Sequence, residues 1–483
     1  MIIEFHSAMK RLRKIYIWTF LLAIYSIGLS CQQRPAELNE STDQQAELNP
    51  EDTKVIKQFF DEALSSRETY KLLDHLSNKI GHRLSGSEGA ANAVKWTEKL
   101  MIEYGFDTVY KQDLFVPNWK RGDKEVARIE DSNEELAVLA LGMSVATPEE
   151  GLTAEIIEVQ SLGEVKALGR RQIEGKIVFY NRPTDQRQIQ TGAAYGGAVD
   201  QRKAGPSMAA KYGAVGVVIR SVGTGFDDVP HTGVTSYKDS ILKIPAAALG
   251  VFSADRLTKA LKENPNTKLF LKMNCQTLED APSHNVIGEL RGSEFPNEII
   301  TIGGHLDSWD VGQGAHDDGS GCMQSIQVLR LFQKFGIRPK RTIRVVMFMN
   351  EENGTRGGQK YAELAEKNQE NHLIALESDA GAFSPRGFGV TAEDATIKKF
   401  RSWLPHFNQN TVSYFKKGGG GVDIGPLHRT LGTPTIGFIV DSQRMFDLHH
   451  SPNDVFATVH PRELELGTAS IAGLIYLIDK YGL

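Results

Sequence analysis

The chain has few cysteines and no surplus of basic residues, and each shortage excludes a class of protein. Three cysteines in 483 residues are too few for the disulfide framework that stabilises small secreted domains. The formal net charge is -5, whereas a protein that binds nucleic acid through a basic surface has the opposite sign. Nucleic acid is therefore not an expected partner.

The apolar run at the N-terminus is too short for a membrane span, which needs about 20 apolar residues. It covers residues 15–30 and follows a basic cluster at 10–14, a pattern that predicts a secretory signal peptide over residues 1–31. Its end resembles a bacterial lipoprotein signal, in which Cys31 would carry a lipid as the sole membrane anchor. We expect an exported protein, either periplasmic or membrane-anchored as a lipoprotein, or secreted after cleavage of an ordinary signal.

The rest of the chain divides by composition into a tether and two domains. Residues 32–50 are polar and rich in Gln and Glu, which predicts a flexible tether. Between residues 120 and 275, short strand patterns and glycines are frequent, and we expect an inserted β-rich second domain there. The segments 51–119 and 276–483 would then form the catalytic domain.

Strand patterns alternate with helical patterns after residue 298. Apolar runs at 299–303, 342–349 and 433–440 predict buried strands, separated by segments with helical spacing. This alternation predicts an α/β fold with a mainly parallel, mixed sheet flanked by helices. In such sheets, ligands bind beyond the carboxyl ends of the strands.

Acidic residues and histidines follow each of these strands. Several carboxylates at one sheet edge repel one another unless cations lie among them. Imidazole together with carboxylate oxygens suits a pair of divalent metals. The candidates, in chain order, are His305, Asp307, Asp317, Asp318, Glu351, Glu352, Asp379, His449 and His450.

Two such metals, about 3.5–4 Å apart, would support hydrolysis. They lower the pKa of a shared water and polarise a carbonyl group. A neighbouring carboxylate can take the proton of that water and deliver it to a leaving amine. Glu351 suits this role of general base, which leaves Glu352 to bind metal.

The motifs at these positions resemble the M28 family of co-catalytic zinc exopeptidases, and most closely its carboxypeptidase Q branch. They are HLDS at 305–308, DDGSG at 317–321, NEE at 350–352, ESD at 377–379 and HHSPND at 449–454. The resemblance covers most of the chain after the tether. It implies the zinc exopeptidase fold, a protease-associated insert, two Zn²⁺ ions and short peptide substrates, and it allows a homodimer.

The family pattern also implies a role for each matching residue. Asp317 would bridge the metals, next to a cis peptide bond with Asp318, while Glu351 would be the general base. Asp307 would orient the imidazole of His305. His450 is the expected histidine of the second metal site, with His449 as the alternative. The implied metal ligands are His305, Asp317, Glu352, Asp379 and His450.

These observations predict an exported di-zinc exopeptidase that cleaves dipeptides or short peptides through a hydroxide bridging the metals. An aminopeptidase of the same family is the first alternative, because it has the same metal pattern. A non-catalytic peptide-binding protein on this fold is the second, but such proteins lose ligands or the base, and here all are present. The sequence does not identify substrate-binding residues, although the glycine-rich segment 416–423 and Arg356 are candidates for that role.

Overall fold

A computed structural model describes residues 49–483 of the chain. The predicted signal peptide, Cys31 and all but the end of the predicted tether lie outside the described residues. Within 49–483, no helix is long and apolar enough to cross a membrane. Cys275 and Cys322 are buried free thiols, as expected for a chain without a disulfide framework.

Strands and helices alternate along most of the described chain. The strands are β1 (Thr108–Lys120), β2 (Val126–Ile129), β3 (Glu134–Leu136), β4 (Val138–Ala140), β5 (Leu152–Val159), β6 (Ile177–Tyr180), β7 (Gly216–Arg220), β8 (Ala246–Leu249), β9 (Lys268–Lys272), β10 (Gln276–Leu290), β11 (Phe295–His305), β12 (Arg341–Phe348), β13 (Asn371–Glu377), β14 (Pro385–Thr391), β15 (Tyr414–Lys417) and β16 (Thr435–Val440). The α-helices are α1 (Pro50–Ser66), α2 (Glu68–His75), α3 (Glu88–Glu103), α4 (Leu162–Ile173), α5 (Thr191–Gly196), α6 (Asp200–Lys203), α7 (Gly205–Lys211), α8 (Val251–Glu263), α9 (Ser320–Lys334), α10 (Arg356–Lys367), α11 (Asp394–Ser402), α12 (Gly425–Leu431), α13 (Met445–Leu448) and α14 (Pro461–Tyr481).

The first sheet has eight strands in the order β1-β10-β12-β11-β13-β16-β14-β15. Its four central strands, β12, β11, β13 and β16, run parallel to one another. Antiparallel pairs lie toward both edges, between β1 and β10, β10 and β12, and β14 and β16. The predicted mainly parallel, mixed α/β sheet is therefore confirmed, and the carboxyl ends of the central strands share one edge.

Apolar side chains of the central strands cover both faces of this sheet, as expected for parallel strands between helices. In β12, Val345 and Met347 belong to a large apolar cluster that includes side chains of α9 and α14. The alternate residues Val346 and Phe348 belong to a second cluster with Tyr361 of α10. The alternation follows from the two-residue period of a strand, and the buried layers hold the strand ends rigidly in place.

The segment between β1 and β10 forms a second eight-stranded sheet, in the order β3-β2-β9-β5-β6-β7-β8-β4. Its strands β5, β6, β7 and β8 are parallel, and the helices α4 to α8 belong to the same segment. Two apolar clusters are built mainly from its side chains. This part of the chain therefore contains α/β structure in addition to the short strands that its composition predicts.

Candidate metal centre and active site

The carboxyl edge of the central strands brings the predicted site residues together. β11 ends at His305, which lies level with Phe348 at the end of β12. Glu377 at the end of β13 pairs with Gly303, also near the end of β11. The loops that leave these strands therefore begin side by side, and they carry the acidic residues that follow each strand in the sequence.

Asp317 lies between two imidazoles, with one carboxylate oxygen toward each. Its Oδ1 is 3.1 Å from Nε2 of His305, which is also 3.5 Å from Oδ1 of Asp379. Its Oδ2 is 3.3 Å from Nε2 of His450, which is also 3.0 Å from Oε2 of Glu352. The five predicted metal ligands thus form two groups that share Asp317.

His449 is adjacent to this cluster but contacts less of it. Its Nε2 lies 3.6 Å from Oδ2 of Asp317, and its ring stacks on that of His450 with 3.5 Å between centroids. His450 approaches both Asp317 and Glu352, whereas no described ion pair joins His449 to Glu352. This geometry favours His450 over His449 as the ligand shared with Glu352.

The charges of the cluster are poorly balanced by protein groups alone. Burial raises the pKa of Asp317, and it raises the pKa of Glu352 to well above its usual range. Oδ2 of Asp317 and Oε1 of Glu352 are buried without a hydrogen-bond partner among the described residues. Burial, together with the adjacent His449 and Arg202, lowers the pKa of His450 well below its usual range and keeps the imidazole neutral. Unpaired carboxylate oxygens beside a neutral imidazole are the donors that zinc takes, so these residues fit the metal.

The pKa of His305 is raised, in contrast to that of His450. Burial lowers the pKa of His305, but hydrogen bonds with Asp317 and Asp379 outweigh this effect and raise the pKa well above its usual value. Without metal, His305 would therefore hold a proton between the two carboxylates. A metal ligand must be deprotonated, so metal binding at His305 would displace this proton.

Asp307 contacts both His305 and the loop after β12, by different groups. Its backbone carbonyl oxygen lies 3.0 Å from Nδ1 of His305, whereas its carboxylate is 3.9 Å from that nitrogen. The carboxylate instead accepts hydrogen bonds from the backbone N–H groups of Asn350, Glu351 and Glu352. The carbonyl thus orients the imidazole, and the carboxylate positions the turn that carries the predicted base.

Two further aspartates hold the loop of Asp317. The carboxylate of Asp454 accepts hydrogen bonds from the backbone N–H groups of Asp317 and its two preceding residues. Asp318 follows a cis peptide bond, and its carboxylate accepts from the N–H groups of His305 and Gly321. The spacing of Asp454 from His450 is visible in the sequence, but its contact with the Asp317 loop depends on the fold.

Arg83, in the loop before α3, is a fully buried residue that holds the loop after β11. Its guanidinium donates to the backbone carbonyl groups of Leu306, Gln313 and Gly314, at 2.7 to 2.9 Å, and to that of Gly81. Four carbonyl groups therefore compensate the burial of its charge. Only the fold shows which loop Arg83 supports.

A cavity of about 690 Å³ opens onto the cluster. Asp317, Glu351 and Glu352 line it, together with Tyr195 and Arg202 from the segment between β1 and β10. Burial, followed by the nearby charges of Asp379 and Asp317, raises the pKa of Glu351 to about 8. Nothing in the sequence singles out Tyr195 or Arg202, because they lie more than 100 positions before the metal motifs.

Arg356 and the segment 416–423, the sequence candidates for substrate binding, both contact other residues of the chain. Arg356 is the first residue of α10 and pairs with Asp280, at 2.5 Å. The glycine-rich segment 416–423 packs against the carboxylate of Glu377, where a Cβ at Gly421 would lie 1.9 Å from its Cδ. Val422 is the one residue of this segment among those that line the cavity.

A parallel sheet whose carboxyl edge carries a buried carboxylate–imidazole cluster, open to a cavity, defines a metal-dependent hydrolase. Residues 285–474 match Peptidase family M28. Carboxypeptidase Q of Homo sapiens is 34% identical over 419 residues, which cover 86% of this chain and 86% of that protein. The chain therefore belongs to peptidase family M28 and is a peptidase.

Solved structures agree with this assignment. The crystal structure of a peptidase M28 precursor from Shewanella amazonensis SB2B is 34% identical, with a TM-score of 0.84, and the match covers 89% of this chain and 97% of that one. BSAP, a zinc aminopeptidase from Bacillus subtilis, has a TM-score of 0.60 at 19% identity, with 84% and 93% covered. At 19% identity, the similarity to BSAP supports the fold assignment alone. The predictions of an M28 enzyme and of its fold are confirmed, and the alternative of a non-catalytic binding protein is not.

Proposed function

We propose that this enzyme binds two zinc ions and hydrolyses dipeptides or short peptides as a carboxypeptidase or dipeptidase. The observation that carries the proposal is the position of Asp317, whose two carboxylate oxygens face His305 and His450 separately. A carboxylate in this position suits the bridge between two ions. Asp379 would complete the site of His305, and Glu352 that of His450.

Glu351 is the proposed general base. Bound zinc would lower the pKa of the attacking water and polarise the scissile carbonyl group. Glu351 lines the cavity and would take a proton from that water. The burial that raises the pKa of Glu351 favours its holding that proton and then passing it to the leaving amine. Asp307 would act through the backbone, by keeping Glu351 at this place.

The remaining parts of the proposal concern the rest of the chain. We propose that residues 1–31 direct export, that Cys31 carries a lipid, and that the predicted tether ends before Asn49, because α1 begins at Pro50. Residues 120–275 would be the inserted, protease-associated-like domain, which supplies one wall of the cavity. The family resemblance supports a homodimer.

The experiment uses protein that lacks residues 1–31 and a panel of free dipeptides, N-blocked peptides and aminoacyl-anilides. Each is assayed as purified, with a chelator, and after addition of zinc. Glu351→Gln is the test variant, and Glu363→Gln, an exposed change on α10, is the matched control. Loss of the general base is expected to lower kcat by about 10²–10⁴-fold, while the zinc content stays at two per chain.

Zinc-dependent cleavage of free dipeptides, lost in Glu351→Gln and kept in Glu363→Gln, would support the proposal. Cleavage of anilides in preference to dipeptides would identify an aminopeptidase instead. A single zinc ion in the fully active protein would contradict the di-zinc arrangement.

A further inference from the structure

The proposed zinc ligand His450 lacks the hydrogen bond that orients the ligand His305. Nδ1 of His305 faces the carbonyl oxygen of Asp307 at 3.0 Å, the contact that a metal-binding imidazole usually makes with its second nitrogen. Nδ1 of His450 instead lies 3.3 Å from Nη1 of Arg202. A guanidinium only donates, so it cannot accept the proton that Nδ1 carries when Nε2 binds metal. Within residues 49–483, no acceptor forms a hydrogen bond with this nitrogen, and the backbone has to supply the orientation.

That backbone is a β-turn with an unfavourable angle at His450. The turn spans residues 448–451, and the N–H of Ser451 donates to the carbonyl oxygen of Leu448 at 3.2 Å. His449 has a φ of -47° and a ψ of 127°, and φ of His450 is +59°. These are the angles of a type II turn, whose third residue is normally glycine or asparagine because its φ is positive. A histidine at this position is strained and needs support from outside the turn.

Two consecutive residues from the segment between β1 and β10 give this support. Nδ1 of His231 lies 2.7 Å from the carbonyl oxygen of His449. A carbonyl oxygen only accepts, so the imidazole of His231 donates this hydrogen bond. The backbone N–H of Thr232 donates to the carbonyl oxygen of His450 at 2.8 Å. The carbonyl groups of both central residues of the turn are therefore bonded by one short piece of the chain.

His231 is itself tied to the second sheet. Its backbone N–H donates to Oγ of Ser221 at 2.8 Å. Ser221 directly follows β7, and its hydroxyl donates to the carbonyl oxygen of Leu249 at the end of β8. His231 is 3% exposed. A donor tied to strand ends keeps its position more precisely than one on an unsupported loop.

Two glycines allow this segment to approach the turn closely. A Cβ at Gly223 would lie 2.7 Å from the carbonyl oxygen of Phe446 and 3.0 Å from Cε1 of His231. A Cβ at Gly233 would lie 2.7 Å from Nδ1 of His450. A larger residue at either position would push the segment away from the turn.

We propose that His231 is a positioning residue of the metal centre: its hydrogen bond fixes the peptide group between His449 and His450, and so holds the ligand His450. The inference rests on the function proposed above, in which His450 binds the second zinc ion. A type I turn differs from a type II turn by rotation of this one peptide group. The rotation would turn the carbonyl of His449 away from His231 and give His450 a negative φ, which a residue with a Cβ prefers. Side-chain rotamers depend on φ, so Nε2 of His450 would no longer be held toward Asp317 and Glu352.

The test compares two replacements of His231 that have a similar size. Asparagine keeps an N–H donor close to the position of Nδ1, whereas leucine has the same branched shape without a donor. Zinc is removed from the protein with a chelator, and Zn²⁺ is titrated back in a calorimeter. In His231→Leu, the affinity for one of the two ions should fall by about 10–100-fold, the usual effect of losing a group that orients a metal ligand. The other ion should bind as in the wild type, and His231→Asn should recover most of the loss.

Activity and unfolding separate this role from general support of the fold. At limiting zinc, kcat of His231→Leu on a free dipeptide should be low, and saturating zinc should restore it with KM unchanged. His460→Leu, an exposed change just before α14, is the matched control and should bind both ions normally. Thermal unfolding of the zinc-free proteins identifies variants that fail to fold. If His231→Leu is one of them, Gly223→Ala displaces the same loop and should weaken the same ion.

Three results would overturn the proposal. The first is wild-type affinity for both ions in His231→Leu, and the second is equal weakening of both ions. The third is an equal loss in His231→Asn and His231→Leu, which would show that the ring supports the fold without acting through its donor. If the wild type binds two ions but hydrolyses no peptide, while His231→Leu weakens only one ion, the proposed function fails and this inference stands.

Discussion

The carboxylate of Asp307 accepts a hydrogen bond from the backbone N–H of Glu351, at 3.0 Å between oxygen and nitrogen. The two residues follow different strands, β11 and β12, and are 44 positions apart. The same carboxylate also accepts from Asn350 and Glu352. The loop after β11 therefore contributes Asp317, a proposed metal ligand, and also determines where the proposed base lies.

Asp307→Asn tests this dependence. The amide of asparagine presents N–H groups where the carboxylate accepted hydrogen bonds, so the turn of Glu351 should move. We expect kcat on a free dipeptide to fall by about 10–100-fold, the usual effect of a residue that orients a metal site. Asp61→Asn, an exposed change on α1, should leave kcat unchanged. Unaltered kcat in Asp307→Asn would show that Glu351 does not need this support.

A pair of histidine variants tests which imidazole binds zinc. His450 lies within 3.3 Å of Asp317 and 3.0 Å of Glu352, so His450→Ala should lower the zinc content from two ions per chain to one. His449→Ala should keep both ions, because its nearest approach to Asp317 is 3.6 Å. Elemental analysis of the dialysed proteins measures the content. The reverse pattern would assign the ligand to His449.

Arg83→Lys tests the support of the loop after β11. Lysine places its charge at one point and cannot reach four carbonyl groups in different directions. Each hydrogen bond to a charged group contributes about 1.5–3 kcal/mol, so the loss of two should lower the free energy of unfolding by about 3 kcal/mol or more. Urea unfolding measures this change, and zinc affinity should fall with it. Arg338→Lys, at an exposed position, should change neither quantity.

Glu465 gives the stability a dependence on pH that can be tested away from the metal centre. Burial raises its pKa from 4.5 to about 7, against hydrogen bonds from Tyr70 and Thr69. The folded pKa exceeds the unfolded one, so the protonated form is favoured in the folded state. As pH rises from about 4.5 to 7, Glu465 loses its proton in the unfolded chain but keeps it in the folded protein. This difference should lower the free energy of unfolding by about 3 kcal/mol.

The measurement is urea unfolding of wild type and Glu465→Gln at pH 5 and pH 8. Glutamine has no proton to release, so the variant should lose less stability between these two pH values than the wild type. Glu363→Gln should show the wild-type difference. If wild type and Glu465→Gln change equally with pH, Glu465 is ionised in the folded protein.

The alternation of strands with helices and the residues after each strand were predictable from the sequence. Buried parallel strands need apolar side chains on both faces, so their patterns are strong, and ligands collect at their carboxyl ends. That reasoning alone predicts that His305, Asp317, Glu352 and Asp379 lie at one edge of the sheet. It also predicts the mainly parallel sheet, which the structure confirms.

Other features depend on contacts between distant parts of the chain. The sequence does not show that the carbonyl of Asp307, and not its carboxylate, orients His305, or that Asp454 holds the Asp317 loop. It also does not show that Arg202, from the segment between β1 and β10, faces the metal centre. The local pattern around each of these residues does not show which distant group it contacts, because an arginine or aspartate has the same appearance in the sequence whatever its partner. Only packing of the two sheets within one folded unit decides which of them meet.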